Sequence, residues 1–203
     1  TMFEPPPTNE LMIARQLRAR GIRDERVLDA MRRVDRALFV PPAQADEAYA
    51  DSALPIAHGQ TISQPYIVGL MTRLLAPQPH HRILEIGTGT GYQTAILAEM
   101  AAHVFTLELV PELSATARER LGRLGYDNIT FDVGDGWRGL PGCAPFDGIL
   151  VAAAPETLPP DLPGQLVVGG RMVLPVGVEE QELLLVTRTA EGFHHHNAGS
   201  VRF

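Results

Sequence analysis

Two hydrophobic patterns divide the chain near residue 80. In the first third, apolar residues recur at three- and four-residue spacing, which predicts amphipathic helices. The residues in this pattern are Leu11, Ala14, Leu17, Val27, Leu28 and Met31. Gly21 separates the two sets, and Asp24 suits the N-cap of the second helix. We therefore expect a helical segment over about residues 1–80.

From Arg82 onward, short apolar runs alternate with helical stretches, which is typical of a parallel sheet flanked by helices. The predicted strands are Arg82–Ile86, His103–Glu108, Ile129–Asp132, Phe146–Ala152 and Arg171–Leu174. Between them, Tyr92–Met100 and Pro111–Leu124 have the length of crossover helices. Two final runs, Glu182–Thr189 and Ser200–Phe203, follow glycine-containing turns without a long helix, so we expect them to add antiparallel strands.

Composition places the chain among ordinary globular domains, with 203 residues, 45% of them hydrophobic and 20% charged. We expect a single domain over residues 1–203, with a cofactor-binding core over about 81–203. No apolar run approaches the roughly 20 residues that span a bilayer, and the N-terminus lacks a signal peptide's apolar core. A single cysteine, Cys143, agrees with a reducing compartment. These features predict a cytoplasmic protein without membrane contact.

Charge bears on the possible partners. The formal net charge of −7 argues against a broad basic surface for nucleic acid. Arginines cluster between Arg15 and Arg36, and we interpret this cluster as the solvated face of the two amphipathic helices. Three adjacent histidines, His194–His196, point to opposite faces of an extended segment and do not predict a metal site.

The strongest motif is a glycine-rich loop between a strand and a helix. It reads Leu84-Glu85-Ile86-Gly87-Thr88-Gly89-Thr90-Gly91. Glycines there let the backbone approach a ligand and adopt positive φ. An ordinary tight turn is one alternative. A dinucleotide-binding fold is another, but its fingerprint has two residues between the second and third glycines, whereas these three are evenly spaced.

Two acidic positions follow at the ends of the next strands. Glu108 closes the second strand about twenty residues after the loop, where a carboxylate suits both hydroxyls of a ribose. Asp135-Gly136 follows the third strand, where an adenine edge is expected. Alone, Glu108 could be a surface acid, and the dipeptide could be only a turn. Together with the glycine loop, they predict a nucleoside pocket.

The E-x-G-x-G-x-G loop resembles the first motif of class I methyltransferases. That resemblance implies a Rossmann-like, doubly wound, mostly parallel α/β sheet. It also implies S-adenosyl-L-methionine as cofactor and S-adenosyl-L-homocysteine as product.

The segment before the loop is more specific. It reads Leu54-Pro55-Ile56-Ala57-His58-Gly59-Gln60-Thr61-Ile62-Ser63-Gln64-Pro65 and resembles the signature of the protein-L-isoaspartate (D-aspartate) O-methyltransferases. Further stretches continue the match in order over nearly the whole chain: Val34–Pro41, Ala48–Asp51, Gly134–Gly136, Ala144–Asp147, Ala153–Pro155, Gly169–Gly170 and Leu174–Gly177. The resemblance implies methyl transfer to isoaspartyl residues of damaged proteins and peptides by an enzyme that we expect to be monomeric.

The resemblance also assigns the site. It makes Ser63 the catalytic residue, although on its own Ser63 could equally be a cap before Pro65. The predicted cofactor-binding residues are Thr61, Ile62, Gln64, Tyr66, Glu85, Gly87, Gly89, Thr90, Gly91, Glu108, Leu109, Asp135 and Gly136. No metal is predicted.

Two features depart from the family pattern. Ala57 stands where the family usually has glycine, and a positive φ there would strain the loop. Family members usually continue beyond Phe203 with residues that help cover the cofactor. Two alternatives stay open: a class I methyltransferase acting on RNA or a small molecule, and a non-catalytic cofactor-binding or protein-interaction module.

Overall fold

Residues 9–33 are largely helical, as their apolar spacing predicts, whereas the rest of the predicted helical segment also contains a hairpin. The structure is a computed structural model that describes residues 8–203. Its first helical segments are α1 (Asn9–Met12), a π-helical turn (Ile13–Leu17), a 3-10 turn (Arg18–Arg20) and α2 (Glu25–Arg33). Gly21 ends the first run with a φ of 88°. Asp24 is the N-cap of α2, because its side chain accepts a hydrogen bond from the Arg26 N–H at 3.0 Å.

A short hairpin and a buried helix follow. The hairpin pairs β1 (Leu54–Pro55) with β2 (Thr61–Ile62) in antiparallel fashion. The helix α3 (Pro65–Leu75) has proline at its first position, where the missing N–H is not needed. The hydrophobic pattern does not predict where α3 begins and ends. Its apolar residues lie around most of the helix, so the sequence does not show the single apolar stripe of an amphipathic helix.

The central sheet has seven strands in the order β5-β4-β3-β6-β7-β8-β9. Their bounds are β3 (Arg82–Ile86), β4 (His103–Glu108), β5 (Ile129–Val133), β6 (Phe146–Val151), β7 (Leu166–Val176), β8 (Gln181–Arg188) and β9 (Phe193–Val201). Strands β3 to β7 are parallel, whereas β8 and β9 are antiparallel to their neighbours. The crossover helices are α4 (Tyr92–Met100) and α5 (Pro111–Arg123). The predicted fold class is thereby confirmed.

Two predicted strands have the wrong bounds. β7 begins at Leu166, five residues before the expected start, because the chain continues as a strand through Gly169 and Gly170 with a register shift against β6. β9 begins at Phe193, well before the predicted Ser200. Most residues of β9 are polar, and they do not alternate with apolar residues as in a typical strand. They nevertheless pair with β8, and β9 forms the edge of the sheet.

The two faces of the sheet are covered differently. On one face, residues of the N-terminal helices and of α4 share a buried cluster with sheet residues such as Ile83 and Val104. On the other face, a second cluster around Leu84 and Ile149 is covered by connections that contribute Leu140 and Leu162. The N-terminal segment therefore packs onto the core, while the single domain over residues 1–203 stays a prediction.

One arginine of the cluster between Arg15 and Arg36 is buried, although the whole cluster is predicted to be solvated. Arg15, Arg18, Arg32 and Arg33 are exposed. Arg36 is 0% exposed. Its assignment to a solvated helix face is therefore wrong, because it lies after α2 in a 3-10 turn (Arg36–Phe39) that enters the core.

Candidate active site

A cavity of about 350 Å³ opens at the carboxyl ends of the parallel strands. Its size lies within the roughly 300–1,000 Å³ typical of small-molecule sites. β3 lies between β4 and β6, so the strand order reverses there, and open α/β sheets bind ligands at such a point. Ten of the predicted site residues line this cavity: Thr61, Ile62, Ser63, Gly87, Gly89, Thr90, Glu108, Leu109, Asp135 and Gly136.

The glycine loop forms the floor between β3 and α4. Gly87 has a φ of 94°, and a Cβ atom there would lie 3.2 Å from the Ala152 carbonyl oxygen. Gly91 has a φ of 86°, and its Cβ would lie 2.9 Å from Leu121 Cδ1. Both positions therefore favour glycine for their conformation, and at Gly87 the backbone carbonyl of Ala152 also leaves little room for a side chain.

Glu108 is held rigidly at the end of β4. Its side chain is 7% exposed, which is inconsistent with the surface-acid alternative. One carboxylate oxygen accepts the Gly89 N–H at 2.9 Å, and the other accepts the Val110 N–H at 3.0 Å. Each carboxylate oxygen can accept a further hydrogen bond, so the group remains able to bind a diol in the cavity.

Glu85 lies behind the loop, away from the cavity wall. Its Oε2 accepts hydrogen bonds from Thr94 at 2.5 Å and Thr106 at 2.7 Å, and Oε1 is buried without a partner. Because the Thr106 hydroxyl donates to Glu85, the Thr88 hydroxyl, 2.6 Å away, donates to Thr106. Burial raises the pKa of Glu85 to about 7, with Glu108 adding to the rise and the two threonine bonds opposing it. Glu85 thus supports Thr88, which does line the cavity.

Asp135 and Gly136 turn the chain after β5. The Asp135 carboxylate accepts the Trp137 N–H at 3.0 Å, which fixes its orientation beside the cavity. A Cβ on Gly136 would lie 2.3 Å from Ile86 Cγ2, so only glycine lets these two strand ends approach. Leu109 and Trp137 are 70% and 44% exposed at the same wall. Apolar side chains in this position suit an aromatic base lying between them.

The hairpin brings Ser63 to the mouth of the cavity. Ser63 is half-buried, and its hydroxyl makes no hydrogen bond within the described residues. The N-cap of α3 is Gln64, which makes no side-chain capping bond. Ser63 therefore does not cap α3, and its hydroxyl is left for a ligand.

Four predicted residues lie outside the cavity wall: Gln64, Tyr66, Glu85 and Gly91. Gln64 donates to the Asp51 carboxylate at 2.7 Å, and the guanidinium of Arg20 lies 4.8 Å from the Tyr66 ring centroid. Gly91 precedes α4, behind the cavity wall. A direct contact of these four residues with cofactor stays a prediction.

Several residues of the cavity wall are not among the predicted site residues. They include Gln60, Thr88, Tyr92, Gln93, Trp137, Ala153, Pro155 and Phe203. Most adjoin a recognised motif: Thr88 and Tyr92 belong to the glycine loop and its helix, and Trp137 follows Asp135-Gly136. Phe203 is distant in sequence, and only the sheet topology brings it to the site.

The substitution at Ala57 does not strain the substrate loop. Ala57 is not among the residues with positive φ, and the left-handed conformation falls on the next residue, His58, with a φ of 58°. Histidine tolerates this region better than a branched residue does. The concern raised by Ala57 is thereby removed.

The described residues also bear on metal sites and membrane-spanning helices. No three His, Cys, Asp or Glu side chains among them converge on a metal position. No helix in residues 8–203 is both long and apolar enough to cross a membrane.

Comparisons with known proteins agree with this geometry. The family model of protein-L-isoaspartate (D-aspartate) O-methyltransferases matches residues 8–203. Protein-L-isoaspartate O-methyltransferase 1 of Syntrophobacter fumaroxidans is 53% identical over 193 residues, which are 95% of this chain and 90% of that protein.

Two solved structures are also similar. One is a Plasmodium falciparum structure, described as a protein-L-isoaspartate O-methyltransferase in complex with S-adenosyl-L-homocysteine. It has a TM-score of 0.83 and 26% sequence identity, and the match covers 97% of each chain. Another protein-L-isoaspartate O-methyltransferase structure has a TM-score of 0.84 and 26% identity, with 96% of this chain and 64% of that chain covered. The chain therefore belongs to the protein-L-isoaspartate (D-aspartate) O-methyltransferase family.

Proposed function

We propose that the protein is a repair enzyme that transfers a methyl group from S-adenosyl-L-methionine to the free α-carboxylate of L-isoaspartyl residues. The observation that carries this proposal is the meeting of Ser63 with the glycine loop and Glu108 around one cavity. A nucleoside pocket alone would serve many methyltransferases. The Ser63 segment is the part that resembles one family, to which the chain belongs.

The residues present fit this cofactor. Glu108 offers two fixed acceptors for ribose hydroxyls, and Asp135 offers a carboxylate for an adenine amino group. The exposed side chains of Leu109 and Trp137 can enclose the base. The backbone of Gly87 leaves room for a ligand to approach closely.

The chemistry requires little from the protein beyond orientation. When bound, S-adenosyl-L-methionine supplies a methyl group on a sulfonium, whose transfer to a carboxylate oxygen gives a methyl ester and S-adenosyl-L-homocysteine. A terminal-type carboxyl has a pKa of roughly 3.5, so the acceptor is ionised at neutral pH and needs no general base. Holding the acceptor in line can contribute several kcal/mol.

Ser63 has the role of a hydrogen-bond donor to the substrate carboxylate. Its free hydroxyl at the cavity mouth supports this assignment. Within the described residues Ser63 has no histidine partner, so it is not an activated nucleophile of the serine-hydrolase kind. The amide nitrogen of the following residue then attacks the ester carbonyl and displaces methanol, and hydrolysis of the resulting succinimide regenerates some normal aspartate.

We also propose which molecules the protein acts on and where it works. The proposed macromolecular partners of the protein are isoaspartyl-containing proteins and peptides. The acidic net charge of −7 supports the absence of a nucleic-acid partner. We further propose that the protein is a monomer and that it works in the cytoplasm, and the single cysteine supports the second of these proposals.

The test is repair of an isoaspartyl peptide over repeated rounds of methylation. With S-adenosyl-L-methionine present, mass spectrometry and chromatography are expected to show a methyl ester, then a succinimide, then a growing fraction of the aspartyl peptide. Total RNA and small carboxylic acids serve as competing acceptors. Methyl transfer to RNA or to a small acid, with none to the peptide, would contradict the proposal.

A further inference from the structure

A buried arginine lies behind the mouth of the cavity. Arg36 is 0% exposed and forms no ion pair with any carboxylate of the described residues. Burial lowers the pKa of its guanidinium to about 10, so it remains charged at neutral pH. A buried charge is costly unless hydrogen bonds replace its water, which makes its partners informative.

All three nitrogens of this guanidinium donate to backbone carbonyls. Nε donates to Ala48 at 2.8 Å, one terminal nitrogen to Ser63 at 2.6 Å, and the other to Ser52 at 3.2 Å. These acceptors lie at both ends of the 48–63 segment, which contains the β1–β2 hairpin. Arg36 therefore ties the two ends of this segment to one rigid group.

The other side of Arg36 faces the cavity wall. Its guanidinium carbon lies 5.5 Å from the centroid of the Tyr92 ring, and Tyr92 lines the cavity at the start of α4. Tyr92 in turn packs against Phe39, with ring centroids 5.5 Å apart. One side chain thus connects the helix that follows the glycine loop with the carbonyl of Ser63.

We propose that Arg36 is a positioning residue for methyl transfer, which fixes Ser63 relative to the cofactor side of the cavity through its planar set of donors. This inference rests on the proposed function. Arginine suits the role because its donors are held in one plane, whereas lysine presents a single ammonium on a flexible stem. A lysine can keep the charge, but it cannot hold three separate carbonyls in the same geometry.

The experiment compares Arg36→Lys with the wild type and with a matched control, Arg33→Lys. Arg33 is exposed and pairs with Glu99. For each protein, we would measure kcat and KM on an isoaspartyl peptide, the affinity for S-adenosyl-L-homocysteine, and amide hydrogen exchange over residues 48–63.

We expect Arg36→Lys to fold and to bind S-adenosyl-L-homocysteine within about threefold of the wild type. Its kcat should fall about ten- to a hundredfold, because displacement of about 1 Å can cost a hundredfold in rate. Hydrogen exchange should accelerate within residues 48–63 and not in the central sheet. Arg33→Lys should match the wild type in every measurement.

Three results would overturn the inference. The first is an Arg36→Lys protein with unchanged kcat and unchanged hydrogen exchange. The second is an equal loss of cofactor affinity and kcat, and the third is a variant that fails to fold. The last two results would assign Arg36 to general stability. Failure of the proposed function is distinguishable. In that case the wild type itself would not methylate the peptide, while the exchange comparison would still report on the 48–63 segment.

Discussion

The most specific structural prediction concerns Glu108→Gln. The wild-type carboxylate accepts the N–H groups of Gly89 and Val110, one on each oxygen. A glutamine side chain keeps one acceptor oxygen but turns its NH₂ group toward the other N–H donor. The variant therefore disturbs the end of the glycine loop and loses charged acceptors for the ribose hydroxyls.

The expected loss follows from the hydrogen bonds involved. A hydrogen bond to a charged group contributes about 1.5–3 kcal/mol. We therefore expect the affinity for S-adenosyl-L-homocysteine to fall about ten- to a hundredfold. Isothermal titration calorimetry measures this directly, and Glu112→Gln is the matched control, because Glu112 is exposed in the first turn of α5.

A ligand analogue separates the two roles of Glu108. If the carboxylate binds the ribose hydroxyls, the penalty of Glu108→Gln should shrink for an analogue that lacks both hydroxyls. If it only supports the loop, the penalty should be the same for both ligands. Unchanged affinity for S-adenosyl-L-homocysteine in a folded Glu108→Gln protein would refute the assignment of this residue to the cofactor site.

Three further substitutions test other parts of the site. Ser63→Ala should lower single-turnover methyl transfer by roughly tenfold to a hundredfold, as expected for loss of about 1.5–3 kcal/mol, with residual activity and no histidine-like pH limb near 6–7. A rate equal to wild type would remove Ser63 from catalysis. Gly136→Ala should destabilise the fold by about 1–3 kcal/mol, because the new Cβ would lie 2.3 Å from Ile86 Cγ2. Urea unfolding compares it with Gly142→Ala, whose Cβ meets nothing within 4 Å, and equal midpoints would contradict the close approach. Glu85 has an ordinary pKa of 4.5 and a folded pKa of about 7, so the folded state keeps a proton that the unfolded state has lost between these values. Its stabilising contribution is therefore complete below pH 4.5 and is lost as pH rises to about 7, and Glu85→Gln should gain about 3 kcal/mol relative to wild type over that range. A stability difference that does not change with pH would contradict the raised pKa.

The parts of the fold that the sequence predicts best are those with a clear local period. β3, α4 and β4 begin and end at the predicted residues, because apolar runs and glycine turns bound them on both sides. The predicted start of β9 is wrong because this strand is stabilised by pairing with β8. That pairing leaves no pattern of apolar residues in the sequence of β9 itself. The helix α3 lacks predicted bounds because buried residues lie around most of its circumference, with Arg73 as its exposed residue.

The site shows the same distinction. The glycine loop, Glu108 and Asp135 can be located from sequence because each directly follows a parallel strand, and such strands end at one edge of a sheet. Arg36 cannot be located in this way. Its sequence context resembles a solvated helix face, and its burial depends on the 48–63 segment folding back over it.

The identity of the methyl acceptor decides whether the proposed function is right, and a pair of peptides can establish it. Two synthetic peptides would differ only in having L-isoaspartate or L-aspartate at one position, and methyl transfer from labelled S-adenosyl-L-methionine would be measured on each. We expect transfer to the isoaspartyl peptide and background levels on the aspartyl peptide. Equal transfer to both peptides, or transfer to neither by a protein that binds the cofactor, would contradict it.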